Sequence, residues 1–137
     1  MLGGKITGYR AIAEDAADAV CRHLRVRSRC RTAAEPLPGA RGKVTRDDHL
    51  HALYGSRAAE VLRLVEDDSR LGEPLVLEYP DIAAQVVFAV NEEQCVKADD
   101  FIFRRTLLGF SRDQGLSARA AVERWIAACN GTMKSES

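Results

Sequence analysis

Gly3-Gly4-Lys5-Ile6-Thr7-Gly8-Tyr9-Arg10 runs directly into Ala11-Ile12-Ala13-Glu14-Asp15-Ala16-Ala17-Asp18-Ala19-Val20. A glycine pair lets a backbone approach a ligand closely, and a loop that feeds a helix N-terminus presents N–H groups to an anion. Lys5 and Thr7 add a cation and a hydroxyl to the same short loop. By physics alone the stretch is a candidate phosphate site. Such a site rarely begins at residue 3 with no strand before it, so the stretch is expected to be a piece of something larger.

Downstream, the helical period continues. Ile12, Ala13, Ala16, Ala17, Val20 and Leu24 fall on one stripe of a helix expected from about Tyr9 to Leu24, with Thr7 as N-cap and Glu14 and Asp15 near its positive end. The small alanines are read as core packing against another element. The following Arg22-His23-Leu24-Arg25-Val26-Arg27-Ser28-Arg29-Cys30-Arg31 is read as a solvated connector. It lacks the aromatic platforms of a nucleic-acid site, so no nucleic-acid partner is expected. Glu35-Pro36-Leu37-Pro38-Gly39 and Arg41-Gly42 interrupt any regular helix, and a boundary is placed there.

Past the connector the pattern predicts further helices. Asp47 or Asp48 caps a short one through Leu50, Leu53 and Tyr54, and Gly55 ends it. Ala58, Val61, Leu62 and Val65 share a face of the next. Ile82 to Val90 is valine-rich, which favours a strand, but the Tyr79-Pro80-Asp81 start and the polar Asn91-Glu92-Glu93-Gln94 continuation favour a helix. Asp99-Asp100 opens another, and Ser117 caps a last one that Asn130-Gly131 stops. Residues 132–137 are expected to be disordered. The expected fold is all-α: a compact bundle of about five helices over 46–131, preceded by a loop and helix over 1–26 and a Pro/Gly connector over 27–45.

Composition adds limits. The chain has 137 residues, with 20 basic and 20 acidic, so no global field selects an acidic or basic partner. Four cysteines, Cys21, Cys30, Cys95 and Cys129, show no C-x-x-C spacing. They are read as reduced thiols of a cytoplasmic protein rather than metal ligands or disulfides. No apolar run approaches the roughly 20 residues that span a bilayer. His49 and His51 lie two apart and so face different ways on a helix; with His23 they are read as structural or surface residues. Arg104 and Arg105 follow Asp99 and Asp100 at bracing distance on a helix.

These motifs, taken in order, resemble a known family. Gly3–Arg10 with its alanine-rich helix looks like the end of the FAD domain of the FAD-dependent glycerol-3-phosphate dehydrogenases, which carry Gly-Gly-Lys-Leu/Ile-Thr-Thr-Tyr/His-Arg. Cys30-Arg31-Thr32 and Pro36-Leu37-Pro38-Gly39 resemble the family's connector. Tyr54-Gly55-Ser56 resembles the opening of its C-terminal helical domain, and Asp100-Phe101-Ile102-Phe103-Arg104-Arg105-Thr106 resembles its Asp-Phe-Leu-x-Arg-Arg-Thr. Gly8 departs from the family's second threonine, and Glu92-Glu93 stands where a His-Glu pair is common.

The resemblance implies oxidation of glycerol 3-phosphate to dihydroxyacetone phosphate, with FAD as cofactor and a quinone or other acceptor for the electrons. It implies that Gly3, Gly4, Lys5 and Thr7 face the flavin and that Lys5 and Arg10 face the substrate phosphate. It also implies an upstream FAD domain as partner, because the dinucleotide-binding Gly-x-Gly-x-x-Gly loop is not in this chain. By itself the chain is then expected to catalyse nothing. A cytoplasmic location is expected, with contact to the cytoplasmic membrane face or self-association through bare surfaces as further expectations. The competing reading is a stand-alone helical interaction module whose arginine run binds an acidic partner or membrane surface.

Overall fold

In a computed structural model the described residues are 4–41 and 48–133. Among them the structure is helical: α1 Tyr9–Leu24, α2 His49–Tyr54, α3 Ala58–Asp67, α4 Ala83–Glu92, α5 Ala98–Arg104 and α6 Leu116–Met133, with short 3-10 turns between. No strand occurs among the described residues; an isolated bridge between Pro74 and Ile82 closes the loop before α4. The all-α expectation is borne out, with α2–α6 forming the bundle.

The bundle is built around α4. Ala83, Ala84, Gln85, Val86, Phe88 and Ala89 of this one helix are all buried. A helix apolar nearly all round must be covered on several sides, and α4 packs against α3 and α6 while α5 packs against α6. Val61, Phe101, Ile102, Leu108 and Val122 are the largest fully buried side chains contributed by the other segments. The valine-rich run is helical because α3, α6 and the 3-10 turn Ser69–Gly72 pack on it, which overrides strand propensity. On α3 the expected face holds at Ala58, Val61 and Val65, but Leu62 is 40% exposed and Leu64 packs against the core as well.

Helix ends agree with the sequence where a side chain can cap locally. The Asp48 carboxylate accepts the His51 N–H at 2.9 Å and starts α2. Three expectations are corrected. Thr7 lies inside a 3-10 turn, Ile6–Gly8, and the N-cap of α1 is Gly8, with no side-chain cap. The cap of α6 is Asp113 rather than Ser117: its carboxylate accepts the N–H groups of Gly115 at 3.1 Å and Ser117 at 2.9 Å. Asn130-Gly131 does not stop α6, which continues through Met133. Of the tail 132–137 expected to be disordered, residues 132 and 133 instead end α6; residues 134–137 lie outside the described residues, as do Asp47 and Gly3.

α1 departs most from expectation. Its bounds are those read from the sequence, but none of its residues is buried. Val20 and Leu24 are 56% and 63% exposed, and Ala13 and Ala17 are exposed too. The core-packing reading of the alanines is therefore corrected for this structure. The stripe is left largely exposed, and the bundle does not cover it.

Candidate functional site

The N-terminal loop folds back on the start of α1. Gly4 sits at φ +113, a conformation that side chains rarely adopt, and a Cβ there would lie 2.8 Å from Ile12 Cδ1. The glycine thus lets the loop fold back over the start of α1. The Gly8 N–H donates to the Lys5 carbonyl at 2.9 Å, closing the turn. Lys5 and Thr7 are exposed. α1 has no side-chain cap; the 3-10 turn leads straight into it, and the Tyr9 N–H donates to the Ile6 carbonyl.

Arg10 is directed elsewhere. It pairs with Glu14 at 2.9 Å and reaches Thr32 Oγ1 at 3.5 Å. The structure therefore gathers Gly4, Lys5 and Thr7 in one loop, while Arg10 engages the connector. Between α1 and that connector runs a groove of about 620 Å³, lined by Tyr9, Ala13, Ala17 and Cys21 on one side and Cys30, Pro36 and Leu37 on the other.

The paired arginines of α5 have a structural assignment. Arg104 pairs with Asp100, one turn earlier, as the spacing predicts. Arg105 instead crosses to the end of α4: Nε donates to the Glu93 carboxylate at 3.0 Å, and a terminal nitrogen donates to the Glu93 carbonyl. Its other terminal nitrogen donates to the Asp100 carbonyl at 2.8 Å. The Asp100 carboxylate accepts the N–H groups of Lys97 at 2.9 Å and Val96 at 3.1 Å. These backbone hydrogen bonds, helped by both arginine charges, hold its pKa below the usual carboxylate range. Asp99 pairs with Arg119 of α6. The charge cluster braces α4, α5 and α6.

A buried polar cluster escaped the sequence reading. His49 Nε2 lies 2.9 Å from Asp81 Oδ1, which also accepts from Gln85 Nε2 at 3.2 Å. Gln85 Oε1 in turn accepts the Ile82 N–H at 2.7 Å. Nearby, the Tyr54 hydroxyl is buried without a hydrogen-bond partner. Burial, with the Glu93 and Asp81 charges, pushes its pKa up to about 12, and the Arg105 charge offsets only part of this. A lone Gln within the apolar run Ala83–Val90 was the local signal for this cluster. Among the described residues no group of three or more His, Cys, Asp or Glu side chains is placed to hold a metal, and no helix is long and apolar enough to cross a membrane.

The bundle and its connector match a family model described as the C-terminal domain of alpha-glycerophosphate oxidase, over residues 30–134. The chain belongs to this family. Its relatives include a glycerol-3-phosphate dehydrogenase of Synechocystis sp., 37% identical over 140 residues that cover 89% of this chain and 25% of the relative. The mitochondrial glycerol-3-phosphate dehydrogenase of Mesocricetus auratus is 33% identical over 128 residues, covering 79% of this chain and 18% of that protein. The human mitochondrial glycerol-3-phosphate dehydrogenase is 33% identical over 141 residues, covering 88% and 19%. The chain thus spans a quarter or less of the length of these relatives. No solved structure matches it. The resemblance drawn from the short motifs is borne out.

Proposed function

We propose that the chain is the C-terminal part of an FAD-dependent glycerol-3-phosphate dehydrogenase, with its bundle packed on a catalytic body and its N-terminal loop forming one wall of the flavin and substrate pocket. The observation that carries this reading is the loop and helix at 4–24. Gly4 is folded back at positive φ, Lys5 and Thr7 are exposed, and α1 has neither a side-chain cap nor a buried residue. An apolar stripe left bare beside a loop that exposes Lys5 and Thr7 fits a larger partner that supplies the remaining walls.

FAD, when bound, would accept the hydride as glycerol 3-phosphate is oxidised to dihydroxyacetone phosphate. The residues present fit one side of such a group. Gly4 brings backbone close, at a positive φ that side chains rarely adopt. The Lys5 ammonium suits the substrate phosphate or the negative charge of a reduced flavin. The N-terminal end of α1 adds a positive partial charge. Arg10, held by Glu14 and Thr32, orients the connector as much as any ligand. The chain alone supplies no dinucleotide-binding half, so it should be inactive by itself.

The test joins the chain to the upstream part of the Synechocystis relative, in place of the segment it matches. The hybrid should purify with stoichiometric FAD and reduce a dye only when glycerol 3-phosphate is present, whereas the chain alone stays colourless. Stoichiometric FAD on the chain alone, or an FAD-loaded hybrid indifferent to glycerol 3-phosphate, would overturn the reading.

A further inference from the structure

The stretch between α1 and the bundle has the composition of a loose linker, yet both of its ends are held. At the first end, Arg10 of α1 reaches the Thr32 hydroxyl, and Cys30 Sγ lies 3.1 Å from the same oxygen. A turn follows, in which the N–H groups of Ala34 and Glu35 both donate to the Arg31 carbonyl at 2.9 Å. At the second end, the Ala40 N–H donates to the Leu37 carbonyl at 3.0 Å. Pro38 and Gly39 occupy the two central positions of that turn, with Gly39 at φ +85. This is the residue pattern of a type II turn, where proline presets the first position and glycine supplies the positive φ of the second.

The turn then meets the bundle backbone to backbone. The Ser56 N–H donates to the Gly39 carbonyl at 2.8 Å. Gly55, at φ +58, faces the same carbonyl. A Cβ on Gly39 would lie 2.5 Å from the Tyr54 carbonyl oxygen, and a Cβ on Gly55 would run into the Gly39 carbonyl oxygen. Neither side has room for a methyl group. Two glycines, 16 positions apart in the chain, are thus required by one contact.

We propose that residues 32–39 are a strap, that the Gly39–Gly55 crossing is its anchor on the bundle, and that the strap sets the attitude of α1 relative to the bundle. Seven residue steps reach at most roughly 25 Å when fully extended, and two turns shorten that further. A strap this short, fixed at both ends, passes a displacement of the bundle to Arg10. That Arg10 adjoins a flavin and substrate wall rests on the proposed function; the strap itself does not.

Amide hydrogen exchange of the full chain, followed residue by residue by NMR, tests the strap without any cofactor, so its failure is separable from failure of the enzymatic reading. The Ser56 and Ala40 amides should be protected in the native chain. Gly39→Ala and Gly55→Ala should each raise Ser56 exchange about tenfold or more, the loss expected for one hydrogen bond, while Phe88 and Ala89 of α4 keep their protection. Gly131→Ala, with nothing within 4 Å of the added methyl, should change neither. If an alanine variant also loses α4 protection, Pro38→Gly, which loosens the turn without adding atoms, should still speed Ser56 exchange with α4 intact. Free-peptide exchange of Ser56 in the native chain, or unchanged protection in the variants that keep α4, would overturn the proposal.

Discussion

Arg105 grips Glu93 twice, through its carboxylate at 3.0 Å and through its backbone carbonyl, and so ties the end of α5 to the end of α4. The same guanidinium also holds the Asp100 carbonyl at 2.8 Å. The planar fork of the guanidinium makes these bonds together, and lysine cannot reproduce it. Arg105→Ala is expected to destabilise the chain by about 1–3 kcal/mol, because acceptors in a partly closed site lose a charged donor. Arg105→Lys should recover only part of the loss. Arg104→Ala, in an ion pair whose arginine is 64% exposed, should cost less than about 1 kcal/mol. Urea unfolding of the three variants checks the order; equal losses for Arg104→Ala and Arg105→Ala would contradict it.

Tyr54 gives the bundle an alkaline limit. Its pKa is pushed up to about 12 in the folded chain, chiefly by burial, from an unfolded value near 10. A group whose pKa is raised on folding contributes stability that is fully present below the unfolded value and is lost as pH rises through the folded one. Stability should therefore fall between about pH 10 and pH 12. Burial also raises the Cys95 and Cys129 thiols, so part of the alkaline slope belongs to them. Tyr54→Phe should flatten the slope and leave neutral-pH stability unchanged or slightly higher, since the buried hydroxyl has no partner and its removal leaves no orphan. Thermal unfolding across this pH range, native against Tyr54→Phe, is the measurement; an unchanged slope would contradict the assignment.

Asp113 should make the start of α6 acid-sensitive. Its carboxylate accepts from the Ser111 hydroxyl and from the N–H groups of Gly115 and Ser117. The Ser111 and Ser117 hydrogen bonds hold its pKa well below the usual carboxylate range. The sign is opposite to that of Tyr54: the contribution is present above the unfolded pKa near 3.9 and is lost as pH falls below it toward the folded value. Asp113→Asn should lower the midpoint of thermal unfolding at pH 7 and reduce its fall on acidification. Exchange of the Ser117 amide should quicken in the same variant. Protection of that amide independent of both pH and residue 113 would exclude the cap.

The α1 bounds were legible because alanine-rich helices are set by local propensity. The Tyr54-Gly55-Ser56 break was legible because glycine marks a chain reversal that side chains resist. Asp113 was not, because an aspartate three residues before a helix, separated from it by Gln114 at φ +54 and Gly115 at φ +77, does not have the spacing of an ordinary N-cap. The His49–Asp81 contact joins residues 32 apart, and no local period encodes such a pairing. For α1 the stripe announced that a face must be covered, but periodicity does not say by what. At the candidate site, Gly4, Lys5 and Thr7 were read from a short motif, and the structure adds the folded-back loop and the uncapped helix. That Arg10 turns toward Thr32 could not be read, because its choice of partner depends on where the connector returns.

The central claim is that Lys5 stands in the substrate and flavin wall of a glycerol-3-phosphate dehydrogenase. The most direct test is anaerobic bleaching of flavin absorbance by glycerol 3-phosphate in the FAD-loaded hybrid, with and without Lys5→Ala. Removing a charged partner of a phosphate or a reduced flavin should slow bleaching at subsaturating substrate by about tenfold or more, with FAD content unchanged. Equal bleaching rates in the two proteins, or no bleaching by glycerol 3-phosphate in an FAD-loaded hybrid, would contradict the account.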